Sequence, residues 1–328
     1  MGRWSVIVPE ATDNLITNPS VETDTTGWTA VGGAVARSAL YSVFGLYSLA
    51  VTPTAGANDG VYFGTVALTV GTTYTFSVYV RGVVGVPYRI YFADAAGNVE
   101  GTPVSFVGDG GWHRYQVTWE CDGTASYRLY VVKNDDADTS DFYLDAAQCE
   151  AGDGATTYCD GSIDPPRGFS SSGCYWNGVA HASMSSRVAT TRAGGWEANL
   201  EDEYGFLEMD DLGTGAPDVD VITTAYLALP GSFHDRTVVL ERSFTVLGAV
   251  AGGSLGDLQR KRGDLISAMY PEESGEPVLL RYDGEERKLE IAARYRSGLS
   301  GGQSENFVEK LALQFVAPYP YWREVVGE

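Results

Sequence analysis

Four cysteines and three histidines are the scarcest reactive side chains in this chain of 328 residues. In GCYWNGVAHASMSSR, residues 173–187, Cys174 and His181 stand seven positions apart, and Cys159 precedes them. A zinc centre needs about four ligands. These residues supply three, with no CxxC or HxxxH spacing. A Cys–His nucleophile pair also needs an oxyanion hole and a shaped pocket, which a stretch rich in Gly, Ser, Thr and Pro does not offer. Two structural readings stay open for Cys159 and Cys174. They close a short loop by a disulfide that stiffens the segment, formed once the chain has left the cytoplasm, or they remain thiols, as a reducing compartment dictates.

Other patterns invite chemistry and then withhold it. Gly252-Gly253-Ser254-Leu255-Gly256 fits G-x-S-x-G between a strand and a helix, the setting of a hydrolase nucleophile. That fold places its histidine after the serine, whereas His113, His181 and His234 all precede Ser254. Ser254 reads as a helix N-cap instead, with Asp257 three residues on. The same glycines lack the lysine of a phosphate-binding loop. The acidic loop NDDADTSD, residues 134–141, is no EF-hand: it has no central glycine, and Ala147 stands where the bidentate glutamate belongs. Among 43 acidic residues no pair is singled out for glycosidic chemistry. The sequence therefore predicts a protein that is not an enzyme and requires no cofactor.

The elements that would carry a site are strands. GTTYTFSVYVRG places Tyr74, Phe76, Val78 and Val80 on one face, and Tyr79 and Arg81 on the other. PYRIYFADAAGN turns Tyr88, Ile90 and Phe92 inward, with Arg89 and Tyr91 outward. GWHRYQVTWE sets Tyr115, Val117 and Trp119 against Arg114 and Gln116. SYRLYVV sets Tyr127, Leu129 and Val131 against Arg128 and Tyr130. Strands with one apolar face each need a second sheet to cover it, so a β-sandwich is expected. The outward row Tyr79, Arg81, Arg89, Tyr91, Arg114, Gln116, Arg128 and Tyr130 is either a carbohydrate-binding surface of rings and hydrogen-bond donors or a solvated face of ordinary cross-strand pairs.

Composition sets the frame. Forty glycines, twenty tyrosines and abundant β-branched residues predict a mostly all-β chain with tight turns. The net charge is −21, from 22 Lys and Arg against 43 Asp and Glu. No basic patch is visible, so nucleic acid is not an expected partner. No apolar run reaches membrane-spanning length, and MGRWSVIVPE is too short in its apolar part for a signal peptide. Membrane insertion is not expected, and synthesis in the cytoplasm is. The expected organisation is an extension over 1–10, a jelly-roll sandwich over 11–151, a Gly/Ser/Pro-rich joint over 152–195 and a second sandwich over 196–328. In that last part SLGDLQRKRGDLISAMYP is the one expected helix, with Leu255, Leu258, Leu265, Ile266 and Met269 as its apolar stripe and Pro271 ending it. WEANLEDEYGFLEMDDLG reads as an acidic strand, and the DG of RYDGEERK as a hairpin turn.

Two resemblances follow from these motifs. NLITNPSVE…GW, GVYFGTVALTVGTTYTFSVYVRG, GWHRYQVTW and DFYLDAAQCEAG together resemble the jelly-roll carbohydrate-binding modules found beside glycoside hydrolases. The resemblance implies glycan binding and a structural calcium, with Glu22 and Asp145 as its side-chain ligands or else as an ordinary turn and a buried acid. YCDGS…GCYWNGVAHASMSSR is similar to a segment of tail proteins of bacteriophages of Gram-positive bacteria, in which Trp176 and His181 serve as packing residues. PDVDVITTAYLALPGSFHDRTVVLERSFTVLG, the helix with Arg260, Lys261 and Arg262, GEPVLLRYDG and APYPYWREV resemble the ring-forming domain of siphophage distal tail proteins. That implies a homohexameric ring in the virion tail tip, which contacts the tail tube protein, the tape measure protein and the hub, with the module on cell-wall glycans. Here the module comes first and the ring domain last, which is a departure from the family's order. Arginine outnumbers lysine 18 to 4, and Arg236, Arg242, Arg294 and Arg296 are candidates for interface ion pairs or for solvated strand faces. The alternative function is an accessory carbohydrate-binding module of a polysaccharide-degrading system.

Overall fold

Alternation written into the strands decides what packs where. The computed structural model describes residues 3–123, 126–134, 136–166, 169–189, 191–225, 232–269, 276–284, 287–299 and 307–325. The chain opens with β1 (Arg3–Pro9) and β2 (Thr12–Asn14). The first sandwich continues with β3 (Trp28–Val31), β4 (Ala34–Ser38), β5 (Ser48–Thr52), β6 (Gly60–Ala67), β7 (Thr73–Arg81) and β8 (Pro87–Ala93). It closes with β9 (Val99–Val107), β10 (Trp112–Glu120), β11 (Ser126–Lys133) and β12 (Phe142–Ala151). The joint holds β13 (Cys174–Trp176) and β14 (Ser185–Arg187). Then come β15 (Gly195–Asn199), helix α1 (Leu200–Tyr204), β16 (Phe206–Leu212), β17 (Val219–Ala225), β18 (Ser232–Val239) and β19 (Arg242–Ala251). Helix α2 (Leu255–Met269), β20 (Val278–Asp283), β21 (Lys288–Ser297), β22 (Val308–Ala317) and β23 (Arg323–Glu324) complete the fold. The protein is mostly β, as expected.

In the first body the five-stranded sheet β10-β7-β12-β5-β4 faces the five-stranded sheet β3-β6-β11-β8-β9. Between them Phe76, Val78, Ile90, Phe92, Leu129 and Val131 are fully buried. These are the residues that alternation turned inward. Deleting one such aromatic side chain costs about 3–5 kcal/mol through lost burial and the cavity left behind.

The second body corrects the expected boundaries. Residues 3–9 are not an extension: β1 lies inside the large sheet β15-β1-β20-β21-β22-β19-β16, with β23 on β21. Trp4 and Val6 sit in its core with Phe206, Phe244, Leu280, Leu313 and Phe315. Trp4 stacks on Phe244 at 5.9 Å. The first body is therefore an insertion after β1. The chain leaves the large sheet at Pro9 and returns at Gly195, and these two residues are register partners. Gly195 is required there, because a Cβ would sit 1.8 Å from the Val8 carbonyl oxygen.

The joint is also not the slack linker its composition suggests. β13, β14 and β2 form a small sheet, and Tyr158, Cys159, Phe169 and Arg187 are buried. Arg187 donates to the carbonyls of Glu10 and Thr157 and to the hydroxyls of Thr156 and Thr157. Glu150, fully buried on β12, accepts from Thr156 N–H at 2.9 Å and Thr156 Oγ1 at 2.7 Å. Thr156 thus carries the Arg187 charge toward Glu150, so a buried acid and base are both hydrogen-bonded.

Two further expectations shift. WEANLEDEYGFLEMDDLG is not one strand: Asn199 caps α1 by accepting from the Glu201 and Asp202 N–H groups, and left-handed Gly205 ends it. Leu255, placed on the apolar stripe of α2, is exposed, while Leu258, Leu265 and Met269 are buried. Pro271 lies outside the described residues. The DG turn joins β20 to β21, Asp283 facing Lys288.

Candidate functional site

The eight outward residues of the first body do not share one surface, because their strands belong to two sheets. Tyr79, Arg81, Arg114 and Gln116 sit on β7 and β10; Arg89, Tyr91, Arg128 and Tyr130 sit on β8 and β11.

The first four lie on the side that the joint covers. Tyr79 is buried against Phe44 and Tyr158. Arg114 lies 5.7 Å from the Tyr79 ring and donates to the Thr156 carbonyl at 2.7 Å and to Ser77 Oγ at 2.9 Å. Gln116 accepts the Ala155 N–H at 3.0 Å. Arg81 stacks at 4.1 Å on Tyr41, which in turn meets Tyr143 edge-on. Tyr79, Arg114 and Gln116 fasten the joint to the first body, while Arg81 packs within that body on Tyr41.

The other four form a ladder. Register places Tyr62, Tyr130 and Tyr91 side by side across β6, β11 and β8. Tyr91 and Tyr130 stack at 4.9 Å with planes 6° apart, and Tyr62 and Tyr130 at 5.0 Å with planes 29° apart. Arg128 lies 4.8 Å over Tyr62, and Arg89 lies 5.3 Å from Tyr91. Val31, Ala93 and Val132 complete the patch. Burial pushes the Tyr91 phenol up. The rings cover one another's faces. What remains for a ligand is a row of ring edges and hydroxyls with a guanidinium at two opposite corners. Tyr62 was missed on the sequence, although inward Val61 and Phe63 mark it as outward.

Glu22 and Asp145 meet at one loop. Glu22 Oε1 accepts the N–H groups of Leu46 and Tyr47, each at 3.0 Å. Asp145 Oδ2 accepts from Val43 at 2.7 Å and Phe44 at 3.0 Å, and its Oδ1 from Ala146 at 2.7 Å. Burial pushes the Asp145 carboxyl up to about 8, against the pull of these three donors and with the Glu22 charge adding to the rise. Calcium takes six to eight oxygens. Here the two carboxylates face N–H donors, and among the described residues no group of three or more His, Cys, Asp or Glu converges on a metal position. The loop as it stands is a clamp of amides on carboxylates and does not fit a calcium cage.

The remaining candidates fall into place. Cys159 and Cys174 are unbridged in this structure, and the neighbouring Cys159 and the Arg187 charge hold the Cys174 thiol low. His181 adopts φ +58° and meets Ser162 and the Trp176 ring, as packing residues do. Ser254 caps α2: its Oγ accepts the Asp257 N–H at 3.2 Å, and Asp257 accepts the Gly253 N–H at 2.9 Å. Of the four interface arginines, Arg242 is buried and spent on the carbonyls of Pro320, Thr214 and Gly215. It ties the Thr214–Gly215 segment, whose Thr214 carbonyl also accepts from Trp322 Nε1 at 3.1 Å, to Pro320, so its guanidinium is turned inward in this chain. Arg236, Arg294 and Arg296 are exposed. A cavity of about 400 Å³ opens where module, joint and large sheet meet, lined by Glu22, Tyr79, Tyr158, Asp160, Arg281 and Glu290 among others.

Comparison with known proteins places the first body in a class. Residues 13–139 match the family described as "Carbohydrate binding domain", so the chain carries a carbohydrate-binding-module domain. Among solved structures, the C-terminal family 22 carbohydrate binding module of Clostridium thermocellum Xyn10B is 23% identical, with a TM-score of 0.34, over 42% of this chain and 92% of that one. The CBM22-1 xylan-binding domain of Paenibacillus barcinonensis Xyn10C is 23% identical, with a TM-score of 0.34, over 45% of this chain and 98% of that one. The Dit protein of phage SPP1 is 19% identical, with a TM-score of 0.32, over 38% of this chain and 48% of that one. No curated protein matches the chain.

Proposed function

We propose that this chain is a structural, non-catalytic subunit that assembles with copies of itself and holds a glycan-binding module at a surface. In its finer form, it is the ring subunit of a bacteriophage tail tip. It would join the tail tube and tape measure proteins to the hub and present six modules to cell-wall sugars. Six weak sites would act together by avidity.

The observation that carries this reading is the insertion. Both connections of the module are strands of a second body's sheet, with Pro9 paired to Gly195, and the joint is packed on a buried polar network. A module so fixed takes its orientation from the second body, as a positioning device must. The second body in turn offers unfinished surface. The β17–β18 hairpin pairs with no other strand among the described residues. It exposes Val219, Val221, Val238 and Val239 beside Arg236. An isolated two-stranded hairpin is marginal in water, and its open edges call for a neighbour.

Light scattering on the purified chain is the test. A mass of six subunits, collapsing to one when residues 219–239 are replaced by a short loop, supports the ring. A monomer at every concentration returns the chain to the accessory-module reading.

A further inference from the structure

We propose that the tyrosine ladder binds an acidic polysaccharide, with Arg89 and Arg128 each gripping the carboxylate of a uronate sugar; this rests on the glycan-binding reading and names its ligand class. The argument starts from charge. In a chain with 43 acids and 22 bases, an arginine has ample carboxylates to pair with, and the second body shows what that looks like. There Arg281 meets Glu197 and Glu290, and Lys288 meets Glu197. Arg89 and Arg128 form no ion pair with a described carboxylate. Arg89 donates to Asn58 Oδ1 at 3.3 Å, and Arg128 lies over the Tyr62 ring. The Nε atoms of both are buried and have no hydrogen-bond partner among the described residues, so only the outer nitrogens can meet a ligand.

The nearby acid is also committed elsewhere. Asp94 accepts from the N–H groups of Ala96 and Asn98 and from the Asn98 amide, each at 2.8 Å, and so is tied into its own turn. Each guanidinium rests on a tyrosine ring, which fixes its plane and leaves its outer N–H pair presented. A fixed guanidinium fork matches the two oxygens of a carboxylate. The two forks stand at opposite corners of the ladder: Arg128 faces Ala93 across β8 and β11 while Arg89 faces Val132, an offset of four residues, or about 13 Å along the strands. One acid on one sugar cannot reach both, so a chain bearing acids on separate units is the matching ligand. Between the corners the phenol hydroxyls of Tyr62, Tyr91 and Tyr130 offer donors and acceptors to the neutral hydroxyls of the same chain. The ring faces are closed to sugars by their own stacking, which removes the usual apolar platform for a neutral glycan.

Affinity electrophoresis of the full chain in polygalacturonate, in the same polymer after carboxyl reduction, in neutral β-1,4-galactan and in a glycerol-phosphate polymer tests this. The expected result is retardation by polygalacturonate alone, weakened by added salt and reduced at least tenfold in Arg89→Gln/Arg128→Gln at unchanged thermal midpoint. Equal retardation by the carboxyl-reduced polymer or the galactan, kept in the double variant, overturns the acidic class and leaves glycan binding standing. Retardation by the glycerol-phosphate polymer alone overturns the uronate assignment. No retardation in any gel, with the fold intact, overturns the glycan-binding reading itself.

Discussion

The two outer faces of the jelly roll carry the same lettering, tyrosine and arginine alternating outward, and meet different fates. On β7 and β10 the joint lies over them, and Tyr79, Arg114 and Gln116 become its fastenings. On β6, β8 and β11 Tyr62, Tyr130 and Tyr91 stack on each other instead, which leaves Tyr91 and Tyr130 buried and Tyr62 half-buried. The difference shows that an outward aromatic is defined by what later folds over it. On the proposed reading the face under the joint contributes stability, and the tyrosine ladder meets the glycan. Substitutions on the two faces should therefore differ in what they do to glycan binding.

The largest effect belongs to the network that holds the joint down. Arg187→Ala removes a buried charge that donates to the Glu10 and Thr157 carbonyls and the Thr156 and Thr157 hydroxyls and that reaches Glu150 through Thr156. It is expected to cost about 3–5 kcal/mol in chemical denaturation, the range for removing one partner of a buried charged pair. A cost near zero would mean that the joint is slack and the contrast between the faces unfounded. Tyr79→Ala is next, at about 3–4 kcal/mol for a buried ring, with glycan retardation unchanged. Tyr130→Ala should depart from that pattern. Its ring is buried too, so stability falls by a similar amount, about 3–4 kcal/mol, but here glycan binding should fall at least tenfold as well. A Tyr79 variant that lost binding at full stability would break the comparison outright.

Acid–base behaviour sharpens it further, since the strained carboxyl lies on the covered sheet. Asp145 has its carboxyl raised to about 8 from an ordinary 3.8. A raised folded value means that the folded state prefers the proton. This contribution to stability is whole below about pH 4 and lost as pH rises toward 8, on the order of a few kcal/mol. The denaturation midpoint should decline over that window, and Asp145→Asn should flatten the decline. Glycan binding, which on the proposed reading depends on the ladder's sheet, should not follow it. Millimolar calcium that abolished the slope would instead place a cation between Glu22 and Asp145.

How much of this was legible follows the same division. Inward residues were readable because alternation is local: Phe76, Ile90 and Leu129 needed only their neighbours. The fate of Tyr79 was not, since Tyr158 covers it from far along the chain. The joint was misjudged because Ser, Thr and Asn look like linker, while here Asn14, Ser185 and Thr156 are buried and hydrogen-bonded. β1 was misjudged because a short apolar run beside Pro9 gives no hint of the partners Asn199 and Leu280. Helix α1 carried readable caps, Asn199 and Gly205, that its acidic, strand-like surroundings hid.

The smallest expected effect separates two ways in which the tyrosine ladder could act. In Tyr62→Phe the ring stays on Tyr130 and under Arg128, so the stack is kept and stability should change by no more than about 0.5 kcal/mol, as for an exposed substitution. Only the hydroxyl is gone. If sugars met the ladder through ring faces, binding would be unaffected. Because the faces are already taken by neighbouring rings at 4.9 and 5.0 Å, the proposed binding would run through edges and hydroxyls. The loss of one such hydrogen bond, about 1 kcal/mol, weakens affinity roughly fivefold. Titration calorimetry of Tyr62→Phe beside Tyr62→Ala would read the two apart: a drop in the first shows hydroxyl contact, and a drop confined to the second shows that the ring itself is what the ligand meets.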